Sequence, residues 1–391
     1  MYHRGEHILK QARHYIAAAA AVAAIGTLAS TAQAQSSVTL YGNIDAGVMT
    51  QSKSGPTGGA GRDTDFVDGI VSPSYYGFKG TEDLGGGFYA GFVLEGGFSS
   101  ANGTHANPGV YQTQMFGRQA MVSLGGDWGT IGAGMQVDPA FVAAVATEPR
   151  GMADSFSALG LWTHATVGNN YAGGGALQGM FDDNALTYTY AKNGLYIGVE
   201  YGFGGVAGST SANSTQSIGL NYNYGGFTVS ASYETSKNAN PTVGGNSSAV
   251  ADFGLGYIWG DFAVRAQYGD YRVNPSLMYE LAAGVAIDDH VQSWGIGFDW
   301  KTSVSNKINL SYYDARDTAP QFGGRTTEIA LLDSYYLSKH TYVFGQVASL
   351  NAAANAGLSA GLGGFYVPSA AYTASAGTTT LYIGAGISHS F

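Results

Sequence analysis

Five carboxylates fall within one stretch of the chain or at its edge: Asp138, Glu148, Asp154, Asp182 and Asp183, with Arg150 among them. Two chemistries could use them. Glu148 and Asp154 form a carboxylate pair of the kind that glycoside hydrolysis employs. Asp182–Asp183, beside loop carbonyls, is the type of oxygen-rich set that takes Ca2+. The bland alternative outweighs both, because a Gly- and Ala-rich segment collects acids with no chemistry attached. The eight histidines show no HExxH or paired spacing, and three of them (His3, His7, His14) stand near the N-terminus. There is no cysteine, hence no disulfide framework and no thiol chemistry. Gly85-Gly86-Gly87 lacks the lysine and following helix of a phosphate loop. No enzyme activity, metal or cofactor is expected.

The elements that hold these residues must be strands. Residues 1–34 read as a cleaved export signal. Arg4, Lys10 and Arg13 make a basic start that Glu6 dilutes, Ile16 to Leu28 is a run of small apolar residues, and Ala32-Gln33-Ala34 supplies the cleavage pattern. Gln35, not Cys, follows, which argues against a lipid anchor. The remainder, 35–391, carries 14 basic and 26 acidic residues, and this acidic balance excludes a nucleic-acid partner. Charged residues are only 11% of the chain, under half the usual share of about 25%. No stretch after Gln35 approaches 18 apolar residues, so crossing a membrane requires strands closed into a barrel.

Period-two alternation runs from end to end. Leu381, Ile383, Ala385 and Ile387 oppose Tyr382, Gly384, Gly386 and Ser388, and Val38, Leu40, Ile44 and Val48 oppose Thr39, Tyr41, Asn43 and Asp45. In 290–301, Trp294, Ile296, Phe298 and Trp300 share one face. Alternation alone does not say which face is inside. Short turns at 83–87, 125–127, 192–194, 225–226, 260–261 and 339–340 alternate with longer Gly/Ser/Asn/Pro segments at 51–65, 100–113, 138–182, 204–214, 237–247, 274–288 and 351–377. That is the pattern of an outer-membrane barrel with short periplasmic turns and long external loops. The predicted fold is an all-β transmembrane antiparallel barrel of about 16 strands, large enough for an aqueous lumen. Alternation breaks at 66–80, 114–125 and 326–337, and Pro73 is placed in a strand near its outer end.

The chain resembles the trimeric Gram-negative general porins, above all the β-proteobacterial type. The residues that carry this are Ser37-Val38-Thr39-Leu40-Tyr41-Gly42 with Ile44-Asp45, Gly77-Phe78-Lys79-Gly80, Glu82-Asp83-Leu84-Gly85-Gly86-Gly87 and Leu94-Glu95-Gly96-Gly97-Phe98. Further on stand Phe116-Gly117-Arg118-Gln119-Ala120, Asp127-Trp128-Gly129-Thr130 with Gly134 and Gln136, Leu337-Ser338-Lys339-His340-Thr341, and Gly386 to Phe391. Residues 237–330 match only in pattern.

The resemblance implies a homotrimer in the outer-membrane bilayer, passing small hydrophilic solutes and ions, with a third loop folded into the lumen as a constriction. The segment 138–182 is the candidate loop. It also implies that Phe391 is read by the barrel-assembly machinery. In such a constriction, basic wall residues face loop acids across a narrow gap, and the transverse field orients dipolar solutes and biases ions. Arg118 aligns with a wall arginine; Asp138, Glu148, Arg150, Asp154, Asp182 and Asp183 form the loop side. Tyr75, Met135 and Tyr89 stand where relatives usually carry a basic residue. Asn43, Asp45, Lys79, Glu95 and Arg265 are inward-facing wall residues by alternation. The missing wall charges beside an acidic loop point to a neutral or cation-preferring pore. The alternatives are a sugar- or dicarboxylate-selective channel on the same barrel and, further off, an outer-membrane hydrolase or adhesin.

Overall fold

The computed structural model describes residues 37–53, 61–105, 114–162, 180–237, 247–273, 289–319, 323–356, 359, 362 and 377–391. The expected export signal, 1–34, lies outside them. Seventeen strands make one antiparallel sheet. They are β1 (Ser37–Gln51), β2 (Asp63–Asp68), β3 (Tyr75–Gly85), β4 (Phe88–Gly97), β5 (Gln119–Gly126), β6 (Gly129–Val137), β7 (Phe181–Lys192), β8 (Leu195–Gly202) and β9 (Thr215–Tyr224). Then follow β10 (Phe227–Lys237), β11 (Ser247–Trp259), β12 (Phe262–Val273), β13 (Asp289–Ser303), β14 (Asn306–Asp317), β15 (Arg325–Tyr336), β16 (Thr341–Ala352) and β17 (Thr378–Ser390). A seven-residue helix, α1 (Pro139–Val145), interrupts the series after β6.

Sequence neighbours pair along the series except at β2 and β3, and β1 pairs with β17 to close the ring. Two backbone bonds of 3.1 Å between Gly42 and the terminal Phe391 complete that seam. β2 pairs with residues 46–51 of β1 and β3 with residues 37–43, so the two occupy one place around the wall. The barrel therefore has sixteen positions. The break between β2 and β3 holds Pro73, which corrects its assignment to a strand. The Asp45 carboxylate causes the break, by accepting the backbone N–H of Ile70 (2.8 Å) and Val71 (3.4 Å). Those amides are lost to the ladder, and Ser74 donates to Asp68 at 2.6 Å to hold the bend.

The two faces now have assignments. Leu40, Ile44, Val48, Trp294, Ile296, Phe298 and Trp300 are exposed on the outer surface, while Asp45, Glu95, Glu200, Asp299 and Gln346 on the alternate positions are buried. An apolar exterior with polar alternates inside is what bilayer and electrolyte on opposite sides of one sheet demand. Aromatic rings stack along the outer short-turn ends of β9–β13, including Phe227–Tyr257 (4.2 Å), Tyr257–Trp259 (5.6 Å) and Phe262–Trp300 (6.2 Å). Trp294 and Tyr312 (5.4 Å) begin a second belt toward the loop end. These are interfacial girdles.

Turn chemistry fixes the short ends. Asn193 (φ 54°) and Gly194 (φ 81°) both take positive φ, as a two-residue hairpin in a right-twisted sheet requires. A further short turn at Val304–Ser305 and a connection at 318–324 add to those expected from composition. Residues 326–336, where the sequence alternation breaks at Asp333, lie in β15 all the same. Asp333 is exposed near its turn end and accepts from Asn306 at 2.5 Å.

Candidate functional site

The site is built outward from Asp138. Its carboxylate caps α1 by accepting from the Phe141 N–H at 2.9 Å, and Pro139 occupies the first helical position. Pro139, Ala140, Ala143 and Ala144 are buried, and the helix packs on β8, β9, β10 and β11. Small residues on the wall make this approach possible. A side chain at Gly219 would collide with the Pro139 carbonyl, and one at Gly297 with that of Pro149.

The chain then crosses to distant strands. Thr147 bonds Ser230 on β10. The Pro149 carbonyl accepts from Arg265 on β12 (3.3 Å) and Asn309 on β14 (3.1 Å). Arg150 donates to Gln346 on β16 at 3.1 Å, the Asp154 N–H reaches the Val71 carbonyl at 3.3 Å, and Phe156 packs on Tyr382 of β17 at 4.9 Å. Glu148 organises the bend. One carboxylate oxygen accepts the N–H groups of Arg150 and Met152, both at 2.7 Å; the other accepts from Ala158 (3.2 Å) and the Tyr313 hydroxyl (2.5 Å). Met152 (φ 55°) and Phe156 (φ 60°) sit in the left-handed region, a backbone cost held by these anchors.

A cavity of about 460 Å³ lies between this segment and the wall. Tyr75, Glu95, Arg118 and Gln119 line one side; Arg150, Met152, Asp154 and Leu159 line the other, with Phe181 beside them. Arg118 pairs with Glu95 at 2.6 Å, and its guanidinium lies 4.9 Å from the Tyr75 ring and 4.6 Å from that of Phe181. Tyr41 (2.8 Å) and Gln119 (3.4 Å) also donate to Glu95. Burial pushes the Asp154 carboxyl well up, the acids Asp45 and Asp68 adding to the push and Arg118 opposing it. Across the cavity, the Nε and Nη1 of Arg150 have no hydrogen-bond partner among the described residues.

Several residues stand elsewhere than the sequence reading put them. The third connection is 138–180, not 138–182, because Asp182 and Asp183 open β7. Asp182 is a buried residue of the wall itself and Asp183 is half-buried. Glu148 is taken up by three amides of its own loop and by the Tyr313 hydroxyl on β14, so it is no free charge across the gap. Met135 falls at a register shift of β6, pairs with Ala120 and packs on buried apolar residues. Asn43 donates to the Pro73 carbonyl at 3.1 Å and, with Asp45, belongs to the β2–β3 break. Lys79 stands 4.8 Å over the Tyr41 ring, and Tyr89 bonds Thr130 at 2.5 Å. Arg265 pairs with Asp299 at 2.5 Å.

Sequence reasoning missed the strand acids. Glu200, Glu234, Asp252, Asp299 and Glu328 are all buried, and parity would have found them: Asp299 stands between outward Phe298 and Trp300, Glu328 beside outward Ile329. Among the described residues the buried charged side chains are fourteen carboxylates and two arginines, Arg118 and Arg150.

A family model described as Gram-negative porin matches residues 17–355. The chain belongs to the Gram-negative porins. It is similar to an outer membrane porin protein of Bordetella pertussis, 32% identical over 323 residues that cover 80% of this chain and 72% of the relative. It is also similar to outer membrane porin protein 32 of Delftia acidovorans, 35% identical over 46% of this chain and 47% of that one. Among solved structures, the anion-selective porin from Comamonas acidovorans superposes with a TM-score of 0.73 at 21% identity, covering 91% of this chain and all of that one. The chain is thus an outer-membrane channel protein on a closed sixteen-position barrel.

Proposed function

We propose that the channel is a passive pore for small hydrophilic solutes and ions, narrowed between residues 138–162 and the wall around Arg118. One observation carries the reading. A single short segment bonds to β10, β12, β14 and β16, to the β2–β3 break and to β17, and only from inside can one segment reach strands so far apart around a closed barrel. Even without Asp138, Asp182, Glu200 and Glu234, which stand apart at the root of the loop, the inner-face carboxylates outnumber the arginines, and this excess supports a neutral to cation-preferring pore, since lining charges of one sign raise the local concentration of the other. Fixed carboxylates here outnumber fixed guanidiniums, and Tyr75 stacks on Arg118 where relatives usually supply another positive charge. The anion-selective Comamonas porin would then share the barrel but not the ion preference.

The subunits assemble as a homotrimer. The outer faces of β1–β6 carry aliphatic Leu40, Val48, Val122 and Ile131 with isolated Phe66, Phe78 and Phe88, whereas the stacked aromatic belt lies on β9–β13. The belt faces lipid and the aliphatic side faces the neighbouring subunit. Phe391, seated on Gly42 at the seam, marks the chain for the assembly machinery.

Liposome swelling with sugars of increasing size tests the pore. Entry rates should fall smoothly with size and rise linearly with concentration. Saturation by one sugar would favour the substrate-selective alternative.

A further inference from the structure

Where the loop leaves the wall, three carboxylates converge and a fourth lies beside them. Oxygens of Asp138, Asp182 and Glu200 all lie within 4.8 Å of one another and are buried. A fourth acid, Glu234, is fully buried, and the charges acting on it are Asp138 and Asp182. Ser217 pairs in register with both Glu200 and Glu234, so β8, β9 and β10 present Glu–Ser–Glu side by side beneath the aspartates. Asp138, Glu200 and Glu234 form no ion pair with a Lys, Arg or His among the described residues.

Glu200 lacks a donor among the described residues. Neither oxygen of Glu200, itself 94% buried, receives an N–H or hydroxyl among the described residues, and Glu234 Oε2 receives none. The hydrogen bond open to Glu200 is a proton shared with Asp182, which neutralises only one of four charges. Carboxylates taken out of water without donors need protons or a cation.

We propose that Asp138, Asp182 and Glu200 bind a hard divalent cation, Ca2+, with the charge of Glu234 beside them, and that the ion fastens the root of the 138–162 segment to β7 and β8. The donor set is all oxygen, as Ca2+ prefers, and three carboxylates offer up to six oxygens toward its usual six to eight ligands. Its bonds of about 2.3–2.6 Å let ligand oxygens stand up to roughly 5 Å apart, and the three oxygens lie within 4.8 Å of one another. Asp138 is the hinge of the arrangement: one oxygen caps α1 through Phe141, and the other has no donor among the described residues. The site stands apart from conduction and would exist in a barrel that passed no current.

The test uses the full folded protein in detergent, stripped with EDTA and held near pH 8.5. Equilibrium dialysis with radioactive Ca2+ should find one ion per subunit. Tb3+ placed there should be sensitised by Tyr196, which neighbours Asp138 and Glu200, with Y196F dimming the emission but keeping Ca2+ stoichiometry. E200Q should lose binding, and E234Q should weaken it by about tenfold or more. If either variant fails to fold, judged by the heat-dependent shift of an intact barrel on a gel, wild type and Y196F still decide. Absence of Ca2+ binding to folded wild type at millimolar Ca2+ overturns the proposal. So does binding that E200Q and E234Q leave unchanged, or Tb3+ emission indifferent to Y196F.

Discussion

Replacing Arg118 by Gln removes one positive charge at the cavity while keeping most of the packing on Tyr75 and Phe181. Glu95 stays in place because Tyr41 and Gln119 still donate to it, so the local charge falls by one unit. A monovalent ion about 5 Å from that charge feels about 0.8 kcal/mol at the dielectric constant of water. Screening in 0.1 M salt, with a Debye length of about 10 Å, leaves about 0.5 kcal/mol. Cations gain this and anions lose it, a difference of about 1 kcal/mol or roughly fivefold in the cation-to-anion permeability ratio. Reversal potentials across a KCl gradient in a planar bilayer read that ratio directly. The double variant E95Q/R118Q should return most of the way to wild type, because the pair is removed together. A ratio unchanged in R118Q, or one shifted toward chloride, would refute the placement of Arg118 at the narrow part of the path.

Three further outcomes follow from the same geometry. Glu148→Ala strips acceptors from three backbone N–H groups and from Tyr313, at a local cost of at least about 3 kcal/mol. The segment 146–162 should become open to protease and single-channel current noisier while the barrel stays intact; a protected, quiet channel would contradict the anchoring role. Asp138 has its carboxyl pushed up to about 8 by burial and then by Asp182. Its proton is held more tightly in the fold than in the unfolded chain, so its contribution to stability is complete below about pH 4 and is lost as pH rises through 8. With EDTA present, the temperature of barrel unfolding should fall between pH 6 and 9, and Asp138→Asn, which still caps α1, should flatten that slope; a rise with pH would reverse the assignment. Gly297→Val must push the Pro149 carbonyl off β13 and break its bonds to Arg265 and Asn309. Conductance should rise as the segment leaves the wall, and an unaltered conductance would place Pro149 elsewhere.

The barrel was legible because its code is local. Trp294, Ile296, Phe298 and Trp300 alternate with polar partners whatever the rest of the chain does, and Asn193-Gly194 makes its turn unaided. The even spacing of turns and loops set the strand number within reach. Long-range events were not legible. The gap between β2 and β3 exists because Asp45, some 25 residues earlier, takes the amides of Ile70 and Val71. Glu148 is an anchor because Tyr313 lies 165 residues away in sequence and within 2.5 Å in space. Asp182 looks like a loop residue because the register shift at Gly134/Gln136 interrupts alternation where it pairs. The helix after Asp138 is readable from Asp-Pro followed by an Ala-rich run, and the strand acids from parity; both signals lie inside stretches whose composition otherwise reads as loop or as apolar stripe.

The measurement that bears most directly on the whole account is conductance of the purified, unheated protein in a planar bilayer as bulk salt is varied. A water-filled passage with an acidic lining predicts discrete steps in multiples of three. Their size should follow the conductivity of the solution, with the reversal potential at or on the potassium side of zero. A protein that inserts yet carries no current, or whose current ignores the electrolyte outside, would contradict it.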